Sequence, residues 1–419
     1  MQTKKYAPYI IAFCATIVRY YDYALFGLSA SVLSKHFMPD ADHDDRILQF
    51  FAVFSIAVLA RPVGSIIFGK IGDRAGRIVS IKISMIIAAI STSLIAFIPD
   101  FSIAGWISVI LLTLLRMLFL VSLSGEIDAI KIYVSEKIGA TNRHLASGII
   151  SFSSQIGVIV ASIMHHITIS RDHIPWLWKL NFIIGGIMGI ALLVMRSHLE
   201  ESELFIKNKK RNKNEMDNST FRIVKDDKSK FILASVVNGV LGGGYHFLII
   251  FLGTFAANVI NILPKEQATL NTTIAIILYG ISGLLSGYIA DKVAISKQLI
   301  ISLTISIICI SSMVTLLRFN IFSTTIYYLL AFITPFYAIP CTIKMQSLFN
   351  TNTRMRMFSF SHSIGSMIFS STTPFICMLL WKTTETPYVV PLYFLFQLLL
   401  LSCSLFFITK KSYMNMFES

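Results

Sequence analysis

Gly69-Lys70-Ile71-Gly72-Asp73-Arg74-Ala75-Gly76-Arg77 is a short, charged, glycine-rich stretch set between two long apolar runs, at about 47–70 and 79–98. Glycines and clustered charges suit neither the interior of a helix nor hydrocarbon, so the stretch reads as a polar turn between two membrane spans. A degenerate copy recurs as Gly287-x-x-x-Asp291-Lys292, at the end of an apolar run at about 267–290, and the two copies are 218 residues apart. Each falls after the second apolar run of a set of six. The chain therefore reads as two similar halves in tandem.

Working outward, the apolar runs number twelve, at about 8–33, 47–70, 79–98, 103–133, 143–168, 176–196, 231–258, 267–290, 297–317, 321–347, 356–381 and 387–409. Each is near the roughly 20 residues that a helix needs to cross a bilayer. They are continuous rather than alternating, which excludes a barrel. In the 419 residues, 55% are hydrophobic and 14% charged, with mean hydropathy +0.70, so lipid rather than water is the solvent of most of this surface. The first run follows Lys4 and Lys5 as in a signal peptide. It contains Arg19 and Asp22 and lacks a small-residue cleavage site, so it is expected to be a retained span.

With both termini in the cytoplasm, inner segments hold 26 of the 36 Lys and Arg, as the positive-inside rule requires. The net charge of +14 is then a topology signal and not a nucleic-acid footprint. Residues 198–230 form the single long polar segment, rich in Lys, Asn and Glu. It reads as a cytoplasmic linker between six-helix bundles at 1–197 and 231–419. The expected fold is an all-α membrane protein of twelve transmembrane helices in two pseudo-symmetric bundles. Cys14, Cys309, Cys341, Cys377 and Cys403 lie in apolar runs without metal-ligand spacing and read as small apolar fillers.

Gly69 to Arg77 resembles the GxxxDRxGR loop of the major facilitator superfamily. Ala60-Arg61-Pro62-Val63-Gly64 resembles the RPxG element of its metabolite:proton symporter branch, which includes proline/betaine, α-ketoglutarate and citrate carriers. Tyr20-Tyr21-Asp22-Tyr23-Ala24-Leu25-Phe26-Gly27 resembles that branch's first-span WYDFALYG. Gly125-Glu126 matches part of its GGEWGG, and Leu199-Glu200-Glu201-Ser202-Glu203-Leu204-Phe205 its LEESPxF. Arg19 stands where the branch has Glu, and Asp128-Ala129 where it has Gly-Gly. The resemblance implies that Gly69, Asp73, Arg74, Gly76 and Arg77, with Asp291 in the second copy, form a gate whose charges engage neighbouring helix ends. Arg61-Pro62 is expected to brace that region rather than to bind substrate.

Ionisable residues inside spans are costly and normally face a cavity or a partner. Arg19, Asp22, Arg116, Glu126, Asp128 and Lys131 are therefore the candidate substrate and proton sites. Asp22 lies about 20 Å along the first span. Arg19 is three residues earlier on the same face, so either an ion pair or a proton and substrate site fits the spacing. Arg116 and Glu126 are ten residues apart and can face one cavity, and Asp128 and Lys131 are spaced for a pair near the cytoplasmic end. Lys179 reads as an interfacial side chain. Gly242-Gly243-Gly244 and Tyr279-Gly280 suit either unwinding or close packing, and Pro335, Pro340 and Pro374 suit kinks. His246 and His362 titrate near neutral pH when unperturbed, but a span histidine also serves as a packed hydrogen-bonding group.

These features point to proton-coupled uptake of a small carboxylate or zwitterion by alternating access. Alternatives are an efflux antiporter or facilitator of the same fold, and a non-transporting receptor. No phosphate loop, GxSxG or HExxH is present, so neither an enzyme nor an ATP-driven pump is expected. The expected energy source is the proton gradient, with no cofactor and no metal. The expected partners are the solute, H+ and the lipid bilayer, with the chain acting as a monomer in a bacterial inner membrane.

Overall fold

The computed structural model describes residues 2–39, 42–75, 77–124, 142–171, 173–196, 224–225, 227–349 and 354–417. Regular structure among the described residues is helical throughout, as expected where no water is present to satisfy a backbone group. The first span is Gln2–Leu28 and, after a turn at Ser29, Ala30–Phe37. The second is His43–Val58 and Arg61–Ala75, the third Arg77–Ile95, the fourth Trp106–Leu123, the fifth Arg143–Ser170 and the sixth Leu177–Arg196. The seventh starts as Lys228–Tyr245 and continues to Val259 through two π-helical stretches, His246–Phe251 and Phe255–Val259. Lys265–Ala290, Ile295–Arg318 and Thr324–Ser347 are the eighth to tenth. The eleventh joins Arg354–Gly365, a π-helical Ser366–Ser370 and Thr373–Thr384, and Val389–Phe417 is the twelfth.

Every predicted run is thus helical over most of its described residues. Ten are long and apolar enough to cross a membrane, and the third contributes a shorter apolar helix, Lys82–Ile95. Their outer faces carry exposed apolar residues such as Ile103, Ile187 and Ile300, a distribution suited to lipid. The buried centre is aromatic, with Phe26, Phe50, Phe51, Phe54, Phe247 and Phe251 all fully covered.

The first six and last six spans meet along two seams. In one, the fifth span lies against the eighth, backbone to backbone. A Cβ on Gly148 would come within 2.7 Å of the Gly283 carbonyl oxygen, and one on Gly287 would strike the His144 carbonyl. Small residues permit this approach, the usual way membrane helices gain packing. In the other seam, the second span packs on the eleventh.

Gly242-Gly243-Gly244 are also packing positions within a regular helix. They abut Ser370, Gln397 and Phe394, and the helix loosens into the π form only from His246. Tyr279-Gly280 sits inside the unbroken Lys265–Ala290 helix. The tenth span stays helical through Pro335 and Pro340. Pro340 has no N–H for the carbonyl four residues back. That carbonyl, Phe336 O, instead accepts from Gln298 Nε2 of the ninth span at 2.9 Å.

Candidate transport site

Asp22 and Arg116 are 3% and 2% exposed, and they meet on the flank of the first span. Arg116 Nη2 donates to Tyr23 O at 3.0 Å and Nη1 to Asp22 O at 3.5 Å. Phe26 and Phe119 lie 4.4 and 4.8 Å from the guanidinium carbon, with Tyr23 and Phe54 further out. A cation over aromatic faces gains up to about 2 kcal/mol when desolvated, which offsets part of its burial. The Asp22 side chain sits against Gly185 of the sixth span, where a Cβ would collide with Oδ1. That oxygen has no hydrogen-bond partner. Arg19 Nη2 donates to Ser84 Oγ of the third span at 3.2 Å.

Between the first six and last six spans lies a cavity of about 170 Å³. Arg19, Asp22 and Arg116 are absent from its wall. Arg61, expected to brace the turn beyond it, lines the cavity instead. The reason is local. The second span breaks at Leu59–Ala60, and Pro62, which has no N–H to lose, occupies the first turn of the new helix. Gly64 then lets the fourth span come so close that a Cβ would lie 2.7 Å from Val121 Cα. The result aims Arg61 across the seam, where Nη1 donates to Ser366 Oγ of the eleventh span at 2.7 Å.

Facing Arg61 on the same wall is His246, at the start of the π-helical stretch. Its Nδ1 donates to Gly242 O at 2.8 Å, which leaves Nε2 of the neutral ring to accept from Tyr23 Oη at 2.8 Å. Ser370 Oγ lies 3.0 Å from Nδ1. The ring is thus satisfied as a packed hydrogen-bonding histidine, one of the two readings its sequence left open. Tyr23 consequently ties the two charged regions together: its carbonyl holds Arg116 and its hydroxyl reaches the seventh span. Tyr20, Tyr245 and Tyr279 complete the aromatic lining. Tyr20 and Tyr23, three residues apart on one face, were the available sequence signal for this wall.

The cavity is closed at the end away from the linker. Away from the linker, a chain of rings runs from Phe26 and Phe50 (5.0 Å) through Phe51–Phe251 (5.7 Å) to Phe255–Trp381 (5.7 Å). Trp381 Nε1 donates to Asp44 Oδ2 at 2.9 Å, and Lys382 Nζ pairs with Asp45 Oδ1 at 3.0 Å, joining the far ends of the second and eleventh spans. At the linker end, Asp291 caps the fifth span. Oδ2 accepts from Leu145 N at 2.9 Å and Oδ1 from His144 N at 3.2 Å, with His144 Nδ1 at 2.7 Å. A carboxylate on the first N–H groups of a helix satisfies orphan donors and favours its dipole.

Of the other expected gate residues, Gly69, Asp73 and Arg74 belong to the Arg61–Ala75 helix, and Arg77 begins the next. Gly76, between them, lies outside the described residues, as do the side chains of Asp73, Arg74 and Arg77. Glu126, Asp128 and Lys131 also lie outside the described residues.

The chain is 27% identical over 387 residues to a protein named for proline/betaine transport in Staphylococcus aureus (strain COL), covering 90% of this chain and 82% of that one. It is 25% identical over 400 residues to the inner membrane metabolite transport protein YhjE of Escherichia coli (strain K12), covering 90% and 87%. The citrate-proton symporter of Salmonella typhi is 26% identical over 281 residues, covering 65% and 63%. Among solved structures, the xylose transporter XylE from E. coli in a partially occluded inward open conformation superposes with TM-score 0.73 at 16% identity, covering 96% and 97%. The proton:xylose symporter XylE bound to 6-bromo-6-deoxy-D-glucose gives TM-score 0.75 at 15% identity, covering 96% and 95%. The Major Facilitator Superfamily model itself runs from residue 12 to residue 374. A match of that extent, on twelve spans that enclose a central cavity, means that this chain is a membrane transporter of the Major Facilitator Superfamily and not an enzyme.

Proposed function

We propose that this transporter is a proton-coupled symporter that takes up a small polar organic solute, a carboxylate or a zwitterion such as proline or betaine. The observation that carries this reading is the buried Asp22 beside Arg116. The carboxyl oxygen Oδ1 has no hydrogen-bond partner, and the guanidinium gives Nη1 and Nη2 to the carbonyls of residues 22 and 23. A proton, or a swing of Arg116 from carbonyl to carboxylate, would satisfy that oxygen. Each option suits a different arrangement of the first and fourth spans, so proton occupancy biases conformation. Relatives named for proline/betaine transport and citrate-proton symport support the reading.

The mechanism is rocking of a bundle at 1–197 against one at 231–419, with 198–230 as the tether. The fifth and eighth spans act as the axis, and the ring layer with the Lys382–Asp45 pair is the gate closed in this structure. The linker end faces the cytoplasm, with both termini on that side of a bacterial inner membrane. The working unit is a single chain that needs no cofactor beyond the proton gradient.

The test is solute accumulation in proteoliposomes with an alkaline interior, using amino acids, betaines and di- and tricarboxylates, with and without an uncoupler. Accumulation that collapses with uncoupler is the expected result. Equilibration without accumulation, insensitive to uncoupler, would make the protein a facilitator and remove the proton from Asp22.

A further inference from the structure

We propose that Arg61 anchors the carboxylate of the transported solute, and that the cavity therefore selects solutes with a single carboxylate over di- and tricarboxylates. This rests on the transport reading above and names the chemistry of its substrate site.

Arg61 is the sole Arg or Lys on the cavity wall among the described residues, and that wall has no Asp or Glu. Its side chain is 6% exposed, yet its Nε has no hydrogen-bond partner and Nη1 meets one hydroxyl, Ser366 Oγ. A buried guanidinium with donors left over is costly, and the ligand that repairs the deficit is a planar anion able to take two parallel N–H bonds. A carboxylate fits that fork, one oxygen on Nε and the other on Nη. Arg116 Nε is likewise without a partner, but it does not face the cavity. It is off the wall, covered by rings and bound to two carbonyls.

The rest of the wall sets the limit on charge. Gln155, Asn238 and Tyr245 place buried amide and hydroxyl groups on the wall, Asn238 Nδ2 without a partner, so they can hold a neutral or ammonium-bearing remainder. None carries a positive charge. One guanidinium neutralises one carboxylate, and among the described wall residues no second Arg or Lys stands ready for another. Because Ser366 belongs to the eleventh span, a carboxylate that draws Arg61 away also loosens a bond across the seam. Substrate recognition and movement of the two bundles would then share one residue.

The experiment is counterflow exchange in proteoliposomes without a pH gradient, using radiolabelled proline, glycine betaine, lactate, succinate and citrate. At least one of the first three should exchange, and succinate and citrate should not. Arg61→Lys, which keeps charge but loses the fork, should raise the half-saturation concentration about tenfold or more with the maximal rate largely kept. Arg61→Ala should abolish exchange. Ser366→Ala frees the guanidinium and should leave half-saturation unchanged or lower. Should Arg61→Ala fail to fold by size-exclusion chromatography, Arg61→Lys and Ser366→Ala decide. Unaltered half-saturation in Arg61→Lys, exchange of citrate or succinate, or exchange of none of the single-carboxylate probes would overturn the proposal. Counterflow needs no driving force, so loss of accumulation with intact, Arg61-dependent exchange would sink proton coupling and leave this assignment standing.

Discussion

Arg116 and Arg61 are both buried arginines within spans of the first six, and their surroundings differ in kind. Arg116 is enclosed by four aromatic rings and two backbone carbonyls of the first span, away from the cavity. Arg61 stands on the cavity wall with one hydroxyl partner from the opposite side of the seam. The difference teaches that burial alone does not assign a role to an intramembrane charge. An arginine shut in by the rings and carbonyls of its own bundle holds structure and coupling, whereas one on the cavity wall is placed to take a ligand.

That contrast can be broken most sharply at Arg116. Removing it leaves Asp22 buried with less compensation, so Arg116→Ala should cost on the order of 3–5 kcal/mol of stability. Thermal unfolding in detergent measures this, and an equal loss in Arg61→Ala would erase the distinction. Asp22→Asn is isosteric and should cost far less stability. It should abolish accumulation under a pH gradient while sparing counterflow; normal accumulation would take the proton from Asp22. Gly64→Ala probes how Arg61 is aimed. Its added methyl meets the Val121 backbone and should destabilise by about 1–3 kcal/mol, with exchange impaired through a shifted Arg61. An unchanged melting curve would mean that the fourth span yields freely. Tyr23→Phe is the mildest. It removes the hydroxyl on His246 Nε2, should cost about 1 kcal/mol, and should alter exchange rate more than affinity. No change in rate would show that Tyr23 does not link the two sites.

The spans were legible because hydrocarbon forces long apolar runs to be helices, and all twelve runs are helical. The burial of Arg19, Asp22 and Arg116 was legible for the same reason. Their partners were not. The spacing of Arg19 and Asp22 suggests a pair within one helix, but Ser84, Gly185 and Arg116 come from three other spans, and linear spacing carries no information about them. The direction of Arg61 was not legible, because it depends on a break at Leu59–Ala60 and on how closely Gly64 lets the fourth span approach. Both are tertiary facts. The Asp291 copy of the charged stretch was readable as a gate element, and its side chain does engage a helix end, that of the fifth span.

The ring layer that closes the far end has a consequence for populations. Most of its pairs are internal to one set of six spans. Among the described residues, three aromatic pairs cross the seam: Phe51–Phe251, Phe54–His246 and Tyr23–His246. At roughly 0.5–1.5 kcal/mol each, parting them costs about 1.5–4.5 kcal/mol before any contact is regained at the linker end. Differential binding of a proton or solute has to offset that cost, together with the Trp381–Asp44 and Lys382–Asp45 contacts at the same end, to shift the balance.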